Sequence, residues 1–102
     1  MVILVIKVKE MVKVRNMYTG GGNIAPNQFI IDNDDGSTVF QSYQATVAKK
    51  VYQDGETKVY LYSPYWDFYS ATTNRYLLEF LREDSIQDVR MLVESGIYEV
   101  IE

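Results

Sequence analysis

The chain reads as an α+β domain, an antiparallel sheet of about five strands built from two hairpins, followed by two helices and a closing strand. Three observations predict it. Alternating runs flank two Asp-Gly dipeptides, at Asp35-Gly36 and Asp54-Gly55, and Asp-Gly supplies the positive φ values of tight hairpin turns. Apolar residues then switch to helical spacing between Tyr76 and Val93, with cap signals on both sides. A last apolar run, Ile97 to Ile101, follows Gly96. Strands first and helices second place the helices on one face of the sheet. With 102 residues there is room for one core, so the whole of 1–102 is expected to be a single domain.

Along the chain, Val2 to Ile6 is apolar, and an alternating stretch follows in which Val8, Val12 and Val14 would face inward. Lys7, Lys9, Lys13 and Arg15 would then share the opposite face, because side chains alternate along a strand. The first ten residues are read either as an edge strand or as an N-terminal extension before Met11; the strand is preferred, since an apolar tail in water is costly. Tyr18 to Asn27, with Gly20-Gly21-Gly22 and Pro26, is a connector. Gln28 to Asp32 and Thr38 to Tyr43 form the first hairpin around Asp34-Asp35-Gly36-Ser37. Ala45 to Tyr52 and Thr57 to Tyr62 form the second, with Val59 and Leu61 toward the core and Lys58, Tyr60 and Tyr62 on the other face. Pro64 stops the sheet pattern. A serine or threonine caps a helix that buries Tyr76, Leu77, Phe80 and Leu81 and runs to about Arg82. Asp84 or Ser85 starts the next, with Ile86, Val89, Leu92 and Val93 inward and Gly96 at its end. Trp66, in the aromatic stretch Tyr65 to Tyr69, is expected to be largely buried where loop meets helix.

Composition excludes several chemistries. There is no cysteine and no histidine, which removes disulfides, thiolate nucleophiles, histidine ligands and Ser-His pairs. No cofactor and no metal site is expected. The glycine triplet lacks the Gly-Lys-Ser/Thr of a phosphate-binding loop. The acidic cluster Asp32, Asp34 and Asp35 fails as a calcium loop, because Ile31 and Ser42 would occupy the first and twelfth ligand positions. Net charge is −4, with a slightly basic first half and an acidic second half, which makes nucleic acid the lesser partner. The apolar start is too short to span a bilayer and has no signal-peptide pattern, so no membrane association and a cytoplasmic location are expected.

The strings Asn27-Gln28-Phe29-Ile30-Ile31, Phe40-Gln41-Ser42-Tyr43, Tyr65-Trp66-Asp67 and Thr72-Thr73, with Tyr76 and Phe80-Leu81, carry a likeness across roughly Met11 to Leu81. Together they resemble a family of small uncharacterised domains from bacteriophages and their Gram-positive or gut-bacterial hosts. The resemblance implies a phage or mobile-element origin and no assigned activity. The chain departs from it in having Phe68-Tyr69-Ser70 after Trp66-Asp67, and in a tail from Glu83 to Glu102 beyond the pattern.

Three functions are carried forward. The first is a non-enzymatic protein-binding module that occupies a host or defence protein, since tyrosines exceed what one core needs and Tyr favours interfaces. The second is a nucleic-acid binder using Lys7, Lys9, Lys13 and Arg15 with stacking from Tyr60 and Tyr62. The third is a carboxylate enzyme built on Asp67 with Glu79. As binding residues, Asp67, Arg75 and the tyrosines would form a polar site beside an aromatic wall. A homodimer is expected through Val2 to Val8 with Tyr60 and Tyr62, because an apolar edge strand is best satisfied by another chain.

Overall fold

A computed structural model describes residues 12–102. Six strands, β1 (Lys13–Tyr18), β2 (Ile24–Asp32), β3 (Thr38–Ser42), β4 (Ala45–Gln53), β5 (Glu56–Tyr62) and β6 (Tyr98–Ile101), form one sheet in that spatial order. The helices α1 (Ala71–Leu81) and α2 (Ile86–Glu94) lie between β5 and β6 in the chain. β1 to β5 are an antiparallel meander, and β6 pairs with β5 in parallel. The α+β expectation holds.

Turn chemistry accounts for the meander. Between β2 and β3, Gly36 takes φ 89° and the Asp35 carboxylate accepts from the Ser37 backbone N–H at 2.8 Å and its hydroxyl at 2.7 Å. Those two bonds hold the Asp35 carboxyl below its ordinary pKa and commit it to the turn, whereas Asp32 is paired with Arg15. Asp54 and Gly55 both have positive φ, as a two-residue hairpin turn requires. The connector after β1 is shorter than the composition suggests, because β2 begins at Ile24. Pro26 is accommodated where the β1–β2 register is irregular and no ladder N–H is needed from it.

Register defines the two faces. Arg15, Ile30, Phe40, Ala48, Leu61 and Val100 make one row across the sheet, and its four middle members are buried. Against that row pack Tyr76, Leu77, Phe80 and Leu81 of α1 and Val89 of α2, with Phe40 and Phe80 stacked at 5.8 Å. The neighbouring row, Val14, Ile31, Val39, Lys49, Tyr60 and Glu99, lies on the helix-free face. Val59 and Leu61 face the core as expected, and Tyr60 and Tyr62 face away from it.

The phase of β1 is the opposite of that expected. Val12 and Val14 are exposed, Val14 at 62%, whereas Lys13 and Arg15 share the helix-bearing face with the one buried residue of the strand, Met17. The reason is position, for among the described residues β1 is the margin of the sheet, its Lys13 and Arg15 are exposed there, and Arg15 pairs with Asp32 at 2.8 Å. Lys7, Lys9 and Val2 to Val8 lie outside the described residues.

Helix ends follow the sequence closely. Ser70 caps α1 by accepting from the Thr73 N–H, and Ser85 caps α2 by accepting from that of Asp88. Arg82 closes α1 in the left-handed region, and Gly96 follows α2 at φ 84°. Trp66 is only half-buried, packing on the rim of the core and not within it. No helix among the described residues is long and apolar enough to cross a membrane.

Candidate functional site

Several of the strings that carry the likeness lie near the N-terminal end of α1. β3 and β4 are joined by the two residues Tyr43 and Gln44, a turn so short that Tyr43 must take φ 57°. A bulky residue there is strained by an energy on the order of 1–3 kcal/mol, which the surroundings must hold in place. They do so from two sides: the Tyr43 N–H donates to the Asn27 carbonyl oxygen at 2.7 Å, and Gln41 Nε2 donates to the Tyr43 carbonyl oxygen at 2.7 Å. The backbone is clamped, and the ring stands half in solvent.

Opposite Tyr43, the segment between β5 and α1 brings up Tyr65 and Tyr69, which meet edge to face at 5.1 Å between ring centroids. Phe68, at φ 54°, makes the reversal between them. Beneath the rings a chain of hydroxyls ties sheet to helix. Ser70 Oγ donates to Thr73 Oγ1 at 3.0 Å, and Thr73 Oγ1 lies 2.9 Å from Ser42 Oγ in a fully buried pair. The result is a cleft of about 470 Å³ walled by Tyr43, Tyr65 and Tyr69 and floored by Ser42, Val47 and Thr73. Among the described residues, no charged side chain lines it.

The other side of Tyr43 borders a second cleft of about 420 Å³, lined also by Pro26, Thr72, Arg75 and Tyr76. The Arg75 guanidinium sits 5.5 Å from the Tyr76 ring centroid. Next to Ser42 in register, Gln28 is fully buried, and its Oε1 has no hydrogen-bond partner. An orphaned buried oxygen is uncommon.

A family model described as a family of unknown function, DUF8033, matches residues 12–93, which include every residue lining the two clefts. The chain belongs to that family. The match runs through α2, so the DUF8033 region extends beyond the Leu81 limit of the sequence likeness and leaves β6 outside it. Comparison with curated proteins and with solved structures returned no match.

Within the DUF8033 domain the residues singled out from sequence are dispersed. Asp67 does not meet Arg75 or receive tyrosine or backbone hydrogen bonds; it is paired with Arg90 of α2 at 2.7 Å, with both side chains 44% exposed. Of Asp67 and Arg75, it is Arg75 that lines a cleft, beside Tyr43 and Tyr76. Glu79 lies at the far end of α1 from Asp67, in a depression with Arg15 and Lys50. Lys13 and Arg15 lie on the helix side of the sheet and Tyr60 and Tyr62 on the other, so these two cations share no face with the stacking rings of the nucleic-acid reading. The described residues hold no cluster of three Asp or Glu side chains able to bind a metal ion.

Tyr43, Tyr65, Tyr69 and Thr73 were in the recurring strings or the aromatic stretch, but nothing in their spacing aligns them. One signal was available. Two strand patterns separated by only Tyr43-Gln44, with no glycine, imply a non-glycine residue at positive φ, and such strain collects at functional positions.

Proposed function

We propose that the protein is a non-enzymatic protein-binding module of phage or mobile-element origin. It acts in the host cytoplasm on a host or defence protein, and it holds an extended, uncharged segment of that partner in the tyrosine cleft. The observation that carries this reading is Tyr43, a strained residue whose backbone is clamped by one backbone and one side-chain hydrogen bond so that its ring divides two adjoining clefts. Rigid tyrosine rings give large contact area at small entropic cost, which is why they dominate binding hot spots. An uncharged lining favours a neutral segment, since a buried unpaired charge would go uncompensated. Tyr65 and Tyr69 complete the wall.

The test is affinity capture from host lysate, followed by titration of the captured protein's segments, as synthetic peptides, against the labelled domain. Amide shifts at Tyr43, Tyr65 and Tyr69, with binding abolished by Tyr43→Ala and Tyr65→Ala, are expected. Retention of the partner by both variants, with loss in Tyr60→Ala and Tyr62→Ala, would move the interface to the sheet.

That sheet face carries the second reading, a homodimer. Phe29, Ile31, Val39 and Val51 lie there with Tyr60 and Tyr62, half-buried and uncovered by either helix. Light scattering over a concentration series, with Tyr60→Ala and Ile31→Ser as disrupting variants, distinguishes a dimer from a monomer.

A further inference from the structure

At the end of α1 away from the tyrosine cleft the surface turns basic. Lys50 leaves the helix-bearing face of β4; its ammonium donates to the Phe80 carbonyl oxygen and lies 4.5 Å from the Phe80 ring centroid. It lines a depression of about 330 Å³ with Arg15, Arg82 and Tyr52. A second depression, of about 400 Å³, shares Lys50, Tyr52 and Arg82 and adds Thr57 and Tyr98. Of all these lining residues, Glu79 is the one carboxylate. A chain of net charge −4 thus gathers three cations on one shelf.

Two of the three have no ion-pair partner among the described residues. The ion pairs among the described residues are Arg15 with Asp32 and Arg90 with Asp67, which leaves Lys50 and Arg82 unmatched. Burial first, and the nearby Arg82 charge second, hold the Lys50 ammonium below the ordinary lysine pKa. Capping the helix terminus uses one of its three donors, at the Phe80 carbonyl oxygen. Tyr52, 65% exposed, offers a bare ring between the two depressions.

We propose that this shelf binds the phosphate group of a small ligand, clamped between the Lys50 ammonium and the Arg82 guanidinium. The guanidinium fork matches two phosphate oxygens and the ammonium supplies a point charge, so an anion there satisfies donors and cancels the repulsion between the cations. Where the phosphate is part of a nucleotide, the Tyr52 ring is the platform for its base. The site shares no residue with the tyrosine cleft, so either proposal can fail without the other.

The experiment titrates inorganic phosphate, adenosine monophosphate and adenosine into the full chain at constant ionic strength, with chloride as reference anion, read by amide chemical shifts and by Tm. Saturable shifts at Lys50, Tyr52 and Arg82 are expected with both phosphates. Lys50→Met and Arg82→Asn should each weaken binding by about tenfold or more, as loss of a charged hydrogen bond does. Asn tolerates the left-handed position, so Arg82→Asn keeps the fold if Lys50→Met does not. Glu79→Gln should tighten binding, an effect no purely structural role predicts. Tighter binding of adenosine monophosphate than of phosphate assigns a nucleotide, and equal binding assigns free phosphate. No saturable shift with either, unchanged affinity in Arg82→Asn, or adenosine binding as well as its monophosphate would overturn the proposal.

Discussion

The buried pair Ser42 and Thr73 joins the floor of the tyrosine cleft to α1, and its removal has a calculable signature. The two hydroxyls lie 2.9 Å apart and both residues are nearly inaccessible, at 2% and 3% exposure. Thr73→Val preserves shape and branching while leaving Ser42 Oγ with no partner at that site; Ser42→Ala removes one of two partners of Thr73 Oγ1, which keeps the Ser70 hydroxyl. Thr73→Val should therefore cost about 1–3 kcal/mol, the desolvation penalty of an orphaned polar group, and Ser42→Ala less, about 0.5–1.5 kcal/mol, the net worth of one hydrogen bond. The double variant puts two apolar groups face to face, and its cost should fall below the sum of the singles by about 1–2 kcal/mol. In urea, a loss of about 1.5 kcal/mol lowers the midpoint by about 1 M at a slope of about 1.5 kcal/mol/M. The Ser70 cap survives in every variant, since it accepts from the Thr73 backbone N–H. Strict additivity of the two single costs would refute the buried bond.

Three further outcomes are expected. Trp66, on the core rim, should emit at an intermediate wavelength, and Trp66→Ala should cost about 1.5–3 kcal/mol, below the 3–5 kcal/mol range of a fully buried aromatic; a fully blue-shifted, unquenchable emission would contradict this. Tyr98 donates to Glu83 Oε2 at 2.6 Å, and burial first, then that bond, push its phenol above the ordinary range. The folded state favours the neutral ring, so its contribution is complete below the unfolded pKa of about 10 and is lost as pH rises beyond it. Unfolding measured on both sides of that pH should show the decline in the natural chain and a shallower one in Tyr98→Phe. For the exposed Asp67–Arg90 pair, Asp67→Asn should change stability by less than about 1 kcal/mol, with the difference shrinking in salt; a loss several times larger would show a role that the geometry does not.

Legibility in the sequence followed how local each cause was. The turns at Gly36 and Asp54-Gly55 and the inward stripe Tyr76, Leu77, Phe80 and Leu81 rest on neighbours within a few residues, and all of them were readable. What the pattern does not carry is position within the sheet. The strand phase of Val12 to Arg15 was inverted because alternation marks two faces without saying which one a marginal strand leaves open. The pairing of Asp67 with Arg90 joins residues from a loop and a later helix, and the basic shelf joins three separate elements, so neither has a signature in spacing. Of the cleft, the aromatic supply was visible. Its assembly around Tyr43 depends on long-range register, which no short window contains.

The parallel pairing of β6 also bears on the order in which the molecule assembles. Each of the first five strands meets its partner across a short turn, whereas β6 finds β5 only after both helices have been threaded between them. Closing so long a loop costs entropy before any contact offsets it, and contacts of long sequence separation form slowly. Folding should thus start in the meander, with α1 laid on it, while the last strand zips along Val59 to Tyr62 at the end. The same seam is the cheapest to reopen, so amide exchange should be fastest along β6, and the tyrosine cleft, made from the early-forming elements, would stay intact while it breathes.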